Sequence, residues 1–128
     1  MALRALDLMI GDWVKVTDDD TDDSFIGQVK AIDELENINV QEGEDVAYPY
    51  SIDCLEPIPL TPEILEKNGF KYNEHPFVQG YEQFGLVLYH GGDGYRINCG
   101  QNVALQLDSV HQLQHALRLC GIDKEIEL

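Results

Sequence analysis

The sequence predicts an α+β protein with an antiparallel sheet in its N-terminal part and helices in its C-terminal part. Three observations support this class: short segments of alternating apolar and polar residues before position 53, a proline-rich stretch after it, and helical apolar spacing near the C-terminus. The chain has 128 residues, 44% of them hydrophobic, which suits one domain or two small lobes. We therefore predict a lobe of residues 1–60 and a lobe of residues 61–128 within one compact unit.

The first lobe contains several short candidate strands separated by polar turns. They are Leu8–Val16, Phe25–Ile32, Ile38–Val40 and Tyr48–Ile52. Gly27 lies inside the second of them, where glycine permits the bend or bulge by which small barrels turn corners. This pattern predicts a five-stranded antiparallel SH3-like small β-barrel.

The second lobe begins with a short helix whose two ends are marked in the sequence. Prolines 57, 59 and 62 make the preceding segment a stiff connector. Thr61 is the predicted N-cap and Pro62 the first helical residue, where a missing N–H costs nothing. Asn68 and Gly69 supply a left-handed stop after about two turns.

A β-hairpin and an amphipathic helix complete the predicted fold. Tyr81–His90 and Tyr95–Cys99 flank a glycine-rich turn, and Val103–Leu107 adds a third strand. Ser109 and Gln112 predict a capping box at the start of the last helix.

The predicted end of that helix is equally well marked. Gly121 follows its apolar stripe as a C-cap, with Ile122 placed for a Schellman motif. Beyond it, Ile126 and Leu128 alternate with acidic residues, which is typical of an edge strand.

The strong negative charge excludes several function classes. Twenty-four acidic side chains stand against 8 basic ones, giving −16, and residues 1–60 alone carry −12. Since nucleic-acid binding depends on Lys and Arg that displace counterions, we expect no direct nucleic-acid binding and no binding to anionic membranes. No apolar run reaches the ~20 residues of a membrane span. The first residues interrupt their apolar side chains with Arg4 and Asp7, so we do not expect export.

The cysteines favour a reducing compartment. Cys54, Cys99 and Cys120 are odd in number and have no CxxC spacing, which argues against a disulfide framework and a structural zinc site. We expect a cytoplasmic protein without a cofactor.

Three stretches of the sequence stand out together: a start at Ile10–Val14, the "PIPLT" helix entry within Glu56–Phe70 and the "HQLQ" helix within Val110–Leu117. In this combination they resemble a family of small proteins from Bacteroides-type gut bacteria and their prophages. The resemblance covers most of the chain in order, with residues 71–102 variable. It implies a cytoplasmic, prophage-type origin, and it carries over no activity and no catalytic residue.

Two sets of side chains have metal-ligating character. His111 and His115 lie at i and i+4 of the last helix, the spacing by which two imidazoles share a metal ion. Gln112 follows the first histidine where a zinc protease has its general base, so hydrolysis is not expected. The alternative is a polar helix face with packing or hydrogen-bonding histidines.

The acidic run Asp18–Asp23 lacks the glycine and the glutamate of a calcium loop. It predicts a solvated hairpin loop, with weak cation binding as the alternative.

No catalytic motif is present, so we expect a protein that is not an enzyme. The serines lack a G-x-S-x-G context and the glycine-rich turn lacks the lysine of a phosphate-binding loop.

Most tyrosines are explained by strand propensity. Tyr48 and Tyr50, on either side of a proline, are the predicted exposed pair for a protein partner.

Three functions follow from these features, in this order of preference. The first is a non-enzymatic protein-binding or adaptor module, whose acidic surface steers it toward a basic partner. The second is an acidic nucleic-acid-mimicking decoy of prophage origin. The third is a metal-binding protein that uses His111 and His115.

Overall fold

The computed structural model describes residues 3–4, 7–17, 23–35, 37–74, 79–83, 86–91, 94–98 and 104–128. The chain divides into two compact units, unit 1 at Met1–Ile58 and unit 2 at Pro59–Leu128. This division lies two residues before the predicted boundary. The α+β class is confirmed, because each unit contains a five-stranded antiparallel sheet and the chain ends in a helical segment with a short tail.

Unit 1 is a meander that returns its last strand to the first. Its strands are β1 (Trp13–Thr17), β2 (Ser24–Ile32), β3 (Asn37–Gln41), β4 (Tyr48–Ser51) and β5 (Leu55–Glu56), in the order β4-β3-β2-β1-β5. A single 3-10 turn at Ile52–Cys54 joins β4 to β5. The pairs among described residues form an open sheet, and no β4–β5 pairing closes it. The predicted closed barrel is therefore not found, because β5 has only two residues and both pair with β1.

The pairing of β2 with β3 in unit 1 is irregular. Its register shifts between Val29 and Ala31, so the irregularity lies after Gly27 rather than at it. Gly27 lies very close to β3: a Cβ at this position would be 2.6 Å from Val40 Cγ1 and 2.8 Å from the Gln41 carbonyl oxygen. Because glycine has no side chain, β2 can lie this close to β3.

One face of this sheet forms an apolar core. The buried members are Leu8, Val14, Val16, Val29, Ile38, Val40 and Leu55. The two residues from β1 and the two from β3 occupy alternate positions, as expected for a sheet with one buried face, and the segment before β1, strand β2 and strand β5 supply one residue each. Asp12 is buried beside them, and its carboxylate accepts a hydrogen bond from the Met9 N–H at 2.7 Å.

Unit 2 contains a sequential meander and both helices. Helix α1 (Pro62–Lys67) precedes strands β6 (Lys71–Glu74), β7 (Gln79–Gln83), β8 (Leu86–Gly91), β9 (Gly94–Asn98) and β10 (Ala104–Leu107), and helix α2 (Val110–Leu119) follows. The strand order is β10-β9-β8-β7-β6. The predicted third strand is confirmed as β10. The prediction of one strand over Tyr81–His90 is wrong, because β7 and β8 pair with each other from Gln83 opposite Leu86.

The helix boundaries match their sequence signals. Thr61 Oγ1 accepts from the Ile64 N–H at 3.3 Å, and Gln112 Oε1 accepts from the Ser109 N–H at 3.2 Å. Gly121 has φ +74°, and the Ile122 N–H donates to the Leu117 carbonyl at 2.9 Å, which completes the Schellman motif.

The predicted stop of α1 is confirmed: Asn68 is the C-cap, with φ −95°, and Gly69 supplies the left-handed residue, with φ +91°. One expectation in unit 2 needs correction. The predicted edge strand at Ile126 and Leu128 is not formed, and the segment after Gly121 has no regular secondary structure. The side chain of Asn68 hydrogen-bonds the backbone of that segment instead.

Neither helix in the described part of the chain has the length and apolar character that a bilayer span requires.

Candidate functional site

The predicted partner-binding tyrosines lie at one end of the inner face of unit 1. Tyr48 is directly opposite Val40, and Tyr50 is directly opposite Ile38, in the β3–β4 pair. Side chains of directly opposed residues lie on the same face of a sheet, so both tyrosines are on the face that contains the core. Val40 is only 1% exposed, yet Tyr48 beside it is 61% exposed. The core face is thus uncovered at Tyr48.

A shallow groove opens at this uncovered end. Its apolar lining comes from three strands and a turn: Phe25, Val40, Val46, Tyr48 and Tyr50. The rings of Phe25 and Tyr50 meet edge to face, with centroids 5.8 Å apart and planes inclined at 62°. This pair forms a partly buried wall against the core, while Tyr48 and Val46 form an exposed rim.

Two carboxylates line the same groove. Glu42 and Asp45 belong to the turn between β3 and β4, and both are exposed. The Asp45 N–H donates to the Glu42 carbonyl at 3.0 Å, which fixes the turn that carries the two side chains. The groove therefore combines aromatic surface with negative charge, in a unit that already carries −12.

Sequence reasoning found the two tyrosines but missed Phe25, Val46 and the acidic pair as their neighbours. Phe25 precedes Tyr50 by 25 residues, and β3 lies between their two strands in the sheet. No local pattern reports such a contact. The sequence did contain a signal for Glu42 and Asp45. They lie in the turn just before the strand that begins with Tyr48, and the residues of a hairpin turn adjoin the first residue of the following strand.

The predicted metal-binding histidines lie together but in a mostly buried setting. The rings of His111 and His115 have centroids 5.6 Å apart, as i, i+4 spacing requires. His111 is only 4% exposed, and its Nδ1 lies 3.1 Å from Ser109 Oγ, so one ring nitrogen is engaged in a hydrogen bond. No group of three or more His, Cys, Asp or Glu side chains in the described ranges is arranged to hold a metal ion. The geometry favours hydrogen-bonding and packing roles for this pair.

Other sequence candidates contribute little to a site. Residues 18–22 of the acidic run and Cys99 lie outside the described residues. Cys54 and Cys120 are partly buried free thiols. Ser109 lies at the N-cap of α2 and is buried, which leaves its hydroxyl inaccessible to a substrate.

A second aromatic cluster lies on the sheet of unit 2. Tyr81 contacts Tyr72 and Tyr95 edge to face, with ring centroids 5.2 and 6.2 Å away. Burial raises the pKa of Tyr81 and of Tyr95 above 10.0, and the negative charge of Glu63 adds to both effects. Tyr81 and Tyr95 are buried, so this cluster is mainly part of the core.

Comparison with known proteins gives no assignment for this arrangement. No protein-family model, curated protein or solved structure matches the chain.

Proposed function

We propose that this protein is a non-enzymatic binding module that captures a protein partner at the Tyr48 groove of unit 1. The observation that carries the proposal is the 61% exposure of Tyr48, directly opposite Val40, which is only 1% exposed. A tyrosine supplies a large, rigid contact surface at low conformational cost, and aromatic anchors of this kind dominate the energetics of protein interfaces.

The strand arrangement supports an SH3-like architecture for unit 1. The order β4-β3-β2-β1-β5, with a 3-10 turn before a short last strand, is the order of an SH3-like meander. The bulge in β2 and the close approach at Gly27 supply the curvature that such a fold needs. We assign the module to the cytoplasm on the cysteine pattern of the sequence.

An affinity capture from a lysate of the source organism tests the proposal. The bait is the full chain, washed first at low and then at high salt, and bound proteins are identified by mass spectrometry. We expect a partner that survives high salt, because burial of apolar surface is less sensitive to salt than surface charge pairing.

Two variants decide whether the groove is responsible. Covering the exposed part of Tyr48 buries on the order of 100 Å² of surface, so Tyr48→Ser is expected to weaken binding of the captured partner by about 10- to 100-fold. Tyr72→Ser, at a partly exposed tyrosine of unit 2, is the matched control and should leave binding unchanged. Equal binding by the wild-type chain and Tyr48→Ser would refute the proposal. A nucleic-acid enzyme that is lost at high salt would instead support the decoy function.

A further inference from the structure

We infer that the groove of unit 1 takes a guanidinium group, so that the partner presents an arginine side chain from a basic segment. This inference rests on the proposed function and specifies the ligand of the same site. It depends on one juxtaposition: three aromatic rings and two carboxylates line a single groove.

The groove is small. It has a volume of about 130 Å³, well below the ~300–1,000 Å³ of small-molecule sites, which suits the end of a single side chain. A folded protein surface could not enter it. An extended segment that inserts a single side chain between Tyr48 and the Phe25–Tyr50 wall could do so.

The aromatic lining favours a cation over a purely apolar side chain. The face of an aromatic ring carries partial negative charge and attracts a cation positioned over it. Tyr48 is exposed at the rim, and the edge-to-face geometry of Phe25 and Tyr50 gives the groove ring surfaces in two orientations.

The carboxylates distinguish a cationic ligand from a neutral one. Glu42 and Asp45 would both lose hydration when a ligand covers the groove, and a neutral or acidic ligand would not compensate for that loss. A guanidinium group can stack its flat face on a ring while its N–H groups donate in plane to a carboxylate. The ammonium group of lysine is compact and cannot make both contacts in this way.

A titration followed by heteronuclear NMR on the full isotope-labelled chain tests the inference. The probe is a soluble Gly-Ser peptide with one central arginine, and its twin carries citrulline, a neutral group of nearly the same shape. We expect the arginine peptide to shift the backbone amide signals of Val46, Tyr48 and Tyr50 saturably. The citrulline peptide should bind at least about tenfold more weakly.

Charge-neutralising variants distinguish the effect of the two groove carboxylates from the effect of the protein's overall negative charge. The double variant Glu42→Gln, Asp45→Asn should reduce affinity for the arginine peptide by about tenfold or more. Glu34→Gln, at an exposed glutamate in the turn between β2 and β3, removes acidic charge away from the groove and should have little effect.

Three results would overturn the inference: no saturable shifts at the groove, equal affinity for the arginine and citrulline peptides, or an equal loss in the Glu34→Gln control. Each is distinguishable from failure of the proposed function. A partner captured through Tyr48, together with indifference to citrulline, would leave the binding module intact and remove only its arginine ligand.

Discussion

The side chain of Asn68 connects the end of α1 to the C-terminal segment, and its removal is expected to destabilise unit 2. Asn68 is only 2% exposed. Its Nδ2 donates to the carbonyl oxygens of Ile64 and Glu127, both at 2.8 Å, and its Oδ1 accepts from the Glu127 N–H at 2.7 Å. The side-chain amide thus pairs with both the N–H and the carbonyl oxygen of Glu127, as the backbone of a neighbouring strand would.

The cost of Asn68→Ala can be worked from these contacts. Three hydrogen bonds at a net ~1 kcal/mol each give about 3 kcal/mol if the segment stays in place. If the segment detaches, water satisfies Glu127, but the burial of Ile126, which is 2% exposed, is lost at about 2 kcal/mol. Either route lowers the stability of unit 2 by about 2–3 kcal/mol, which corresponds to a melting temperature lower by roughly 10 °C or more.

Thermal and urea unfolding of the full chain measure this effect, with Lys67→Ala on the exposed face of the same helix as the control. Asn68→Asp provides a second test. It retains the acceptor for the Glu127 N–H but replaces the donor with a carboxylate that faces two carbonyl oxygens, so it should be at least as damaging at neutral pH and partly relieved in acid. A melting temperature for Asn68→Ala within about 2 °C of the wild type would refute the reasoning, because the three bonds would then contribute almost nothing.

Three further predictions concern stability. Gly27→Ala should lower the free energy of unfolding by about 1–3 kcal/mol in urea titration, because its Cβ would collide with the backbone of β3, and an unchanged midpoint would contradict this. Gly121→Ala should cost about 1 kcal/mol from its φ of +74° alone, since open space surrounds that position, and Gly121→Asn should recover part of the loss. Burial raises the pKa of Tyr81 and Tyr95, so the fold favours their neutral forms; stability is full below the ordinary tyrosine pKa and falls as pH rises through the raised values. Urea midpoints measured against pH should show this loss, and Tyr81→Phe with Tyr95→Phe should flatten it.

The elements that the sequence predicted correctly are those whose signals are local. Thr61 caps α1 through the N–H three residues later, and Gln112 returns to the backbone of Ser109 across the same spacing. Gly121 ends α2 because only a residue that tolerates positive φ closes the Schellman hydrogen bonds. Each of these outcomes depends on a few consecutive residues, which a single sequence displays in full.

The errors arise where distant residues decide the structure. A strand from Tyr81 to His90 has the correct propensity, yet the pairing of β7 with both β6 and β8 requires a reversal inside it. Ile126 and Leu128 alternate with acidic residues as an edge strand would, but the backbone at Glu127 pairs with the side chain of Asn68, 59 residues away, instead of with a strand. Phe25 contacts Tyr50 from β2, which is separated from β4 by β3 in the sheet. Register and strand order are properties of the assembled sheet, and propensity does not contain them.

The sequence of β4 protects the backbone edge of the strand with a proline but leaves the side chain of Tyr48 exposed on its face. This difference supports a binding role for its tyrosines. Pro49 lies opposite Asn39 on β4, which is an outer strand in the described sheet, and it has no N–H to donate to a further strand. A proline in this position blocks the addition of another strand, which is the usual protection of an edge. The flanking Tyr48 has no comparable protection: a threonine there would keep the strand propensity and expose far less apolar surface. In β4 the proline prevents pairing with another strand, while the side chain of Tyr48 stays exposed. Such a strand is suited to recognition through side chains, and the groove beside Tyr48 is where that recognition can occur.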